Sequence, residues 1–498
     1  MRFLILRLAL ALGLGVSIPI NLAWSQEVES SQKGEEVESS KEESTEKKDD
    51  QKDEPKAKEE AEEEAPPEPA MELAAETGAL LFIEAERLIV QPGKEIANGK
   101  LIVRNGLIQK VGTDLVAPEG ARTINGKVVC AGFIDPWSTL AVDGGSLNEM
   151  RTDATLGAKD ALDLFGPKHD FERAMTAGVL TFETHIGSRA VISGTGVILR
   201  SQPSTETADV LISERSAMWS AVGIGSGVIQ RIEEVDALVG RLTSGEAYLR
   251  SWRKYEKDLA EWEEEITELQ KKLDKDFKKA KKDRDKKVKK AKEDGKEHKD
   301  KKHKEPKPPR KPKLHKDKET LGRVMAGEIP LIVRANRPAV LRNLLDATRG
   351  MSSLRMVISG GKSAMHVAPR LAAREIPVIV WPAQALTDSN SPESTGLDLA
   401  GELSRAGVPV VIGSGLSGET AALPLYASLA VGHGLDADQA LAAITTRVAR
   451  IFDLHNELGS LRRGRRAELL IMDGEPLSMG TSIQYVVSAG EVVMEPKE

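Results

Sequence analysis

Between positions 178 and 413, short apolar runs alternate with stretches of helical periodicity. GVLTF (178–182), IPLIV (329–333), MVIS (356–359), PVIVW (377–381) and PVVIG (409–413) are the runs, and residues 171–177, 339–348 and 366–374 carry the helical pattern. A parallel strand pair needs a long crossover, so this alternation predicts βαβ units and an α/β fold. Residues 438–452 read as one further helix.

The two ends have another texture. Residues 80–83, 87–90, 100–104 and 107–111 are β-rich and separated by Pro92-Gly93, Asn98-Gly99 and Asn105-Gly106. Asn-Gly between apolar runs is a strong hairpin signal, because both residues tolerate positive φ. A final hairpin is expected over 485–493, turning at Ala489-Gly490.

Joining the front segment to the parallel units is KVVCAGFIDPWSTL (127–140). It resembles the "PGFID" first barrel strand of the amidohydrolase superfamily, imidazolonepropionase-like branch. GVLTF is similar to that family's "AGVTTV", and GSLRRGRRAELL (459–470) to its "GSLxPGKxADLV". The resemblance implies a (β/α)8 TIM-type barrel plus a composite β-sandwich domain made from both chain ends. It places the sandwich at 78–129 and 456–498 and the barrel at 130–455, with sites at the C-terminal ends of the strands.

The same resemblance implies metal ligands, and every position that aligns carries another residue. Trp137 and Thr139 stand where the family has a His-x-His pair, and Arg334 and Asn336 where "PVxIHAHR" has histidines. Gly360 replaces the histidine of "IxHGTE", and Gly415 the aspartate of "AIGSD" that serves as ligand and general base. Catalytic Zn²⁺ takes about three N or O donors from protein, and a guanidinium is permanently cationic. Of the eight histidines only His185, two residues beyond Glu183, follows a strand expected to face the pocket. His185 and Glu183 are therefore the candidates for a catalytic base or a lone ligand. The glycine-rich stretch 187–196 resembles the family's "PGSxNxIxGxG" and, with Arg189, Arg334, Asn336 and Trp137, is the candidate ligand-binding set.

Residues 1–25 read as an export signal, with Arg2 and Arg7, an apolar run and the small-x-small site Ala23-Trp24-Ser25. A periplasmic or extracellular protein is expected, with no membrane span once the signal is removed. Residues 26–77 form an acidic linker whose first part, 26–69, has 18 acidic against 7 basic residues and almost no large apolar side chain, so disorder is expected. Cys130 is the only cysteine, which excludes an intrachain disulfide.

A charged helical insertion is expected at 245–322, within the barrel. Tyr248, Trp252, Tyr255, Leu259, Trp262, Ile266, Leu269 and Leu273 recur at spacings of four and three, a coiled-coil-like seam that predicts homo- or hetero-oligomers. Residues 271–320 then carry 24 basic and 11 acidic side chains. Aromatic residues are nearly absent from this run, so it reads as a solvated helix and linker and not as a nucleic-acid site.

Taken together, the residues and the resemblance imply an exported, non-catalytic relative of hydrolases acting on non-peptide C–N bonds, binding a small ligand or a protein partner without a cofactor. The alternative is an active metal-dependent hydrolase holding zinc through an atypical site.

Overall fold

The computed structural model describes residues 79–142, 152–187, 189–225, 227–290, 306–360, 363–382, 397–415 and 419–496. The expected signal and acidic linker lie outside the described residues. The compact unit to which all of these belong spans Ala74–Glu498.

Strands β1 (Leu80–Gln91), β2 (Lys94–Arg104), β3 (Leu107–Gly112) and β4 (Arg122–Ala131) open the chain. Strands β5 (Phe133–Ser138), β6 (Val179–Thr184), β7 (Gly194–Thr195), β8 (Val197–Arg200), β9 (Leu211–Ser213) and β10 (Met218–Ala221) follow. Then come β11 (Leu331–Arg334), β12 (Met356–Ser359), β13 (Val378–Val380), β14 (Val410–Ile412), β15 (Leu469–Met472), β16 (Ile483–Ser488) and β17 (Glu491–Met494).

Both chain ends share one seven-stranded sheet, ordered β17-β16-β15-β4-β1-β2-β3. Strand β15 pairs antiparallel with β4, so Leu470 lies opposite Cys130 although 340 positions separate them. Alternating side chains such as Leu81, Ile83, Leu101, Val103, Leu469 and Ile471 form one core cluster of this sheet. The Asn105-Gly106 turn forms as expected, with φ of 52° and 78°. Asn98-Gly99 does not turn: β2 runs through it, with Asn98 at φ 51°. Gly99 is there for close approach, since a Cβ on it would lie 2.5 Å from that of Leu88. The turn sits at Pro92-Gly93, and β1 is consequently one long strand.

The second part is parallel. Strands β10, β11, β12, β13 and β14 pair in sequence order, and β5 pairs parallel with β6. Residues 194–200 join these two groups: β7 lies antiparallel on β10 and β8 antiparallel on β6. Gly196 bridges them, donating to Ala217 O at 3.0 Å and accepting from Ser216 N at 2.9 Å. At the other side, Ser414 N, just beyond β14, donates to Asp135 Oδ1 of β5 at 3.1 Å. Helices Lys168–Thr176, Pro338–Ala347 and Ala368–Ala373 cover the outside, burying Phe171, Leu341, Leu344 and Leu371. The expected helix 438–452 is two, Ala437–Ala443 and Thr446–Ile451. The break frees Ile444 O to accept from Ile134 N at 2.7 Å, tying the helices to β5.

The insertion begins with the 63-residue helix Val228–Lys290. Its first turns bury Val235, Leu238 and Leu242 in the main core, where Leu321 and Val324 meet them from helix Lys316–Met325. Farther along, the apolar seam is not paired with a second helix among the described residues. Part of it carries the chain's own proline–lysine tract. Pro306, Pro309 and Pro312 are half-buried while the residues between them are exposed, the three-residue period of a polyproline helix. Trp262 Nε1 donates to Pro306 O at 2.9 Å, Lys311 Nζ lies 5.8 Å from the Trp252 ring centre, and the Tyr248 hydroxyl accepts from His315 N at 3.4 Å. Aromatic rings spaced along one helix face thus hold an extended segment. Trp262→Ala is expected to speed tryptic cleavage of the Lys313-Leu314 bond by about tenfold, since an aromatic contact and one hydrogen bond contribute about 1–2 kcal/mol to local closure. Site-resolved mass spectrometry of the digest measures it, and an unchanged rate would show that the tract is held by something else.

Candidate functional site

Strands β5 and β6 bury an unusual set of side chains. All six residues of each strand are buried, including Asp135, Trp137, Ser138, Thr181, Glu183 and Thr184. His185 follows β6 and is 1% exposed.

Glu183 is the hub. Its Oε1 accepts from Ser216 Oγ at 2.8 Å and from Trp219 Nε1 at 2.8 Å, and its Oε2 lies 3.3 Å from His185 Nδ1. The His185 ring stacks on Trp219, with centroids 3.5 Å apart and planes 10° from parallel. Trp219 is 5.8 Å from Trp137, which is 5.9 Å from Trp381 just after β13. Three indoles and an imidazole therefore form one continuous cluster of rings, stacked at His185–Trp219, tilted by 46° at Trp137–Trp219 and edge-on at Trp137–Trp381. Glu183 and His185, the candidate catalytic pair, are brought together by this packing.

Asp135 sits beside the cluster. Its Oδ1 accepts from Trp137 N and Ser414 N, both at 3.1 Å, while Oδ2 has no hydrogen-bond partner. Burial pushes its carboxyl up to about 7, with the charge of Glu183 acting in the same direction and the hydrogen bonds from Ser414 and Trp137 opposing. Unpartnered buried polar atoms recur around it: Trp137 Nε1, Thr184 Oγ1, His185 Nε2, Asn336 Oδ1, Ser359 Oγ and Trp381 Nε1. Such atoms cost about 1–3 kcal/mol each when left dry, so they gather where something polar is to be met.

The remaining positions lie around the same strand ends. Thr139 is half-buried after β5, and Arg334 ends β11 with Asn336 two residues on. Burial lowers the Arg334 guanidinium from its ordinary range, and the nearby charge of exposed Arg189 lowers it further, so the two cations share one rim. Gly360 has φ 87°, and a Cβ there would lie 2.7 Å from Asn336 Oδ1. Gly415 has φ 68°, and its Cβ would lie 2.5 Å from the Trp381 ring. The indole occupies the space a side chain at 415 would take. Among the described residues, no group of three or more His, Cys, Asp or Glu is placed to hold a metal ion.

Asp135, Trp219, Ser216, Trp381 and Ser414 are members of the site that motif reading did not single out. The signal was modest: Trp137, Trp219 and Trp381, half of the six tryptophans, each fall in or directly after a short apolar strand.

Residues 289–494 match the model of the Amidohydrolase family. The match is less than half of the chain and covers β11 to β17, leaving β5, β6 and β10 outside it. Among solved structures, an amidohydrolase from Thermotoga maritima MSB8 superposes with a TM-score of 0.65 at 17% identity, covering 84% of this chain and all of that one. A 5-methylcytosine deaminase from Klebsiella pneumoniae, liganded with phosphonocytosine, gives 0.50 at 14% identity, covering 84% of this chain and 99% of the other. At such identities the likeness is one of fold. No curated protein matches the chain.

Proposed function

We propose that the chain is an exported member of the amidohydrolase superfamily. Its parallel strands close into the (β/α)8 barrel, and its seven-stranded sheet corresponds to the family's composite sandwich. The ancestral centre for C–N bond hydrolysis has been replaced by an aromatic one that binds a small polar ligand without metal. The observation that carries this reading is the packing of Trp381 against Gly415, continued through Trp137 and Trp219 to His185. Indole, threonine hydroxyl, guanidinium and glycine do not make a zinc ligand set. Indole N–H groups and the unpartnered atoms of Asp135, His185 and Ser359 suit a ligand of a few polar groups. Arg189 and Arg334 at the rim favour negative charge on it.

The test is the metal content of the mature protein after incubation with Zn²⁺ and desalting. Less than about one-tenth of an equivalent is expected, since three donors are wanting. Stoichiometric, chelator-sensitive zinc would overturn the reading in favour of an atypical hydrolase, with His185 and Glu183 as the residues to examine. As a second arm, Gly415→Asp is expected to destabilise the fold by about 2–4 kcal/mol, because it adds strain at positive φ to a clash with an indole. A Gly415→Asp protein that is stable and gains tight zinc binding would also count against it.

A further inference from the structure

A second concave site lies away from the strand C-termini, where the β1–β2 turn faces the C-terminal helices. It is a cleft of about 330 Å³, lined by Gln91, Asp438, Arg450, His455, Arg462 and Arg465 among others. That volume suits a small metabolite and not a single water.

What distinguishes it is that three arginines, Arg450, Arg462 and Arg465, line one small cleft. Several guanidinium groups elsewhere meet carboxylates, Arg466 pairing with Glu457 at 2.9 Å, Arg200 with Glu468 at 3.2 Å and Arg323 with Glu328 at 2.8 Å, while Arg374 donates to the neutral acceptors Leu345 O, Thr348 Oγ1 and Thr348 O. In the cleft two of the three arginines meet neutral acceptors. Arg462 Nη2 donates to Gln91 Oε1, and Arg465 Nη1 donates to Ser460 Oγ and to Leu458 O at 3.4 Å. Among the described residues none of Arg450, Arg462 and Arg465 forms an ion pair with a carboxylate. Arg465 is half-buried, and both its burial and the charge of Arg462 press its guanidinium below the ordinary range. Arg450 does the same to Arg447, which donates to Val410 O and to Gln439. Two of these like charges are oriented by hydrogen bonds, and among the described residues none of the three is ion-paired with Asp436 or Asp438 of the same lining, an arrangement that favours an entering anion.

We propose that this cleft binds a small phosphate monoester, its phosphate held by Arg450, Arg462 and Arg465 with His455 at the edge. Arginines arriving from a helix and a separate loop surround a tetrahedral oxyanion better than a planar carboxylate. Asp436 and Asp438 in the same lining repel a second anionic group and accept from hydroxyls, which selects a monoester of a polyol over a polycarboxylate.

Isothermal titration of the full chain with inorganic phosphate, and separately with citrate, tests this at low ionic strength. Phosphate is expected to bind in the millimolar range or tighter, more tightly than citrate. Binding should weaken at least about tenfold in Arg450→Gln/Arg462→Gln, where charge-assisted hydrogen bonds are lost. Both residues are exposed, so the variant folds, and Arg463→Gln outside the cleft serves as the control that keeps affinity. Citrate binding as tightly as phosphate would overturn the phosphate assignment. No phosphate heat at all, or equal heat in the double variant, would overturn the site.

Discussion

Gly196→Ala is expected to lower the stability of the protein by about 3–5 kcal/mol, read as a shift in the chemical-denaturation midpoint. A Cβ at 196 would lie 1.9 Å from Glu183 Oε1, 2.6 Å from Ser216 Oγ and 2.8 Å from the Thr184 carbonyl oxygen. The backbone oxygen has nowhere to go, and moving the carboxylate takes it off Trp219 Nε1 and Ser216 Oγ together. An interior packed at crystal-like density relaxes little, so an added methyl is converted into broken hydrogen bonds. Glu183→Ala should cost a similar amount by leaving the same donors unpaired. In Gly196→Ala/Glu183→Ala the new methyl enters space the carboxylate has left, so the double variant loses less than the sum of the singles. Strict additivity would mean that the residues do not share one network.

Asp135 sets the second large effect, on pH dependence. Its folded-state pKa is about 7 against an ordinary 3.8. Below about pH 4 both folded and unfolded carboxyls hold their proton, and the group costs nothing. Between about pH 4 and pH 7 the unfolded chain releases the proton while the folded protein keeps it, so the native state binds more protons and stability falls as pH rises. Above about pH 7 the whole penalty is present, on the order of 4 kcal/mol. Asp135→Asn keeps an oxygen for Trp137 N and Ser414 N and removes the ionisation. The variant should match the parent near pH 4, be more stable by a few kcal/mol near pH 8, and lose that slope between. Parallel curves for parent and variant would show that Asp135 stays ionised in the folded protein.

Much of the parallel-strand architecture was legible because it depends on local periodicity. Runs such as 356–359 and 409–413 are too apolar to be anything but buried, and the helical patterns between them are long enough for crossovers. Turn chemistry was legible at Asn105-Gly106, where neighbouring strands continue on both sides, and misleading at Asn98-Gly99. The same dipeptide met different partners. At 99 the approach of Leu88 demands a glycine inside a strand, and no local pattern reports a neighbour eleven residues away across a sheet. The helix break at Ile444-Thr445 was hidden for a related reason, since its cause is the N–H of Ile134.

The helical seam from Tyr248 shows how little a period says about what covers an apolar stripe. Four-and-three spacing reports an apolar stripe on a helix but not what covers it. Here part of the cover is an extended proline tract about fifty residues later, whose three-residue period matches no helix.

By itself the sequence determined many of the elements and where apolar strands alternate with helices, because those follow from residue type and spacing. Only the tertiary structure decided that Trp137, Trp219 and Trp381 pack into one ring cluster with His185, that Glu183 joins Trp219 and His185 and that Trp381 fills the space over Gly415. Those contacts join residues up to 244 positions apart, Trp137 and Trp381. Their energy comes from excluding water and matching donors to acceptors, and neither quantity exists until the strands have met.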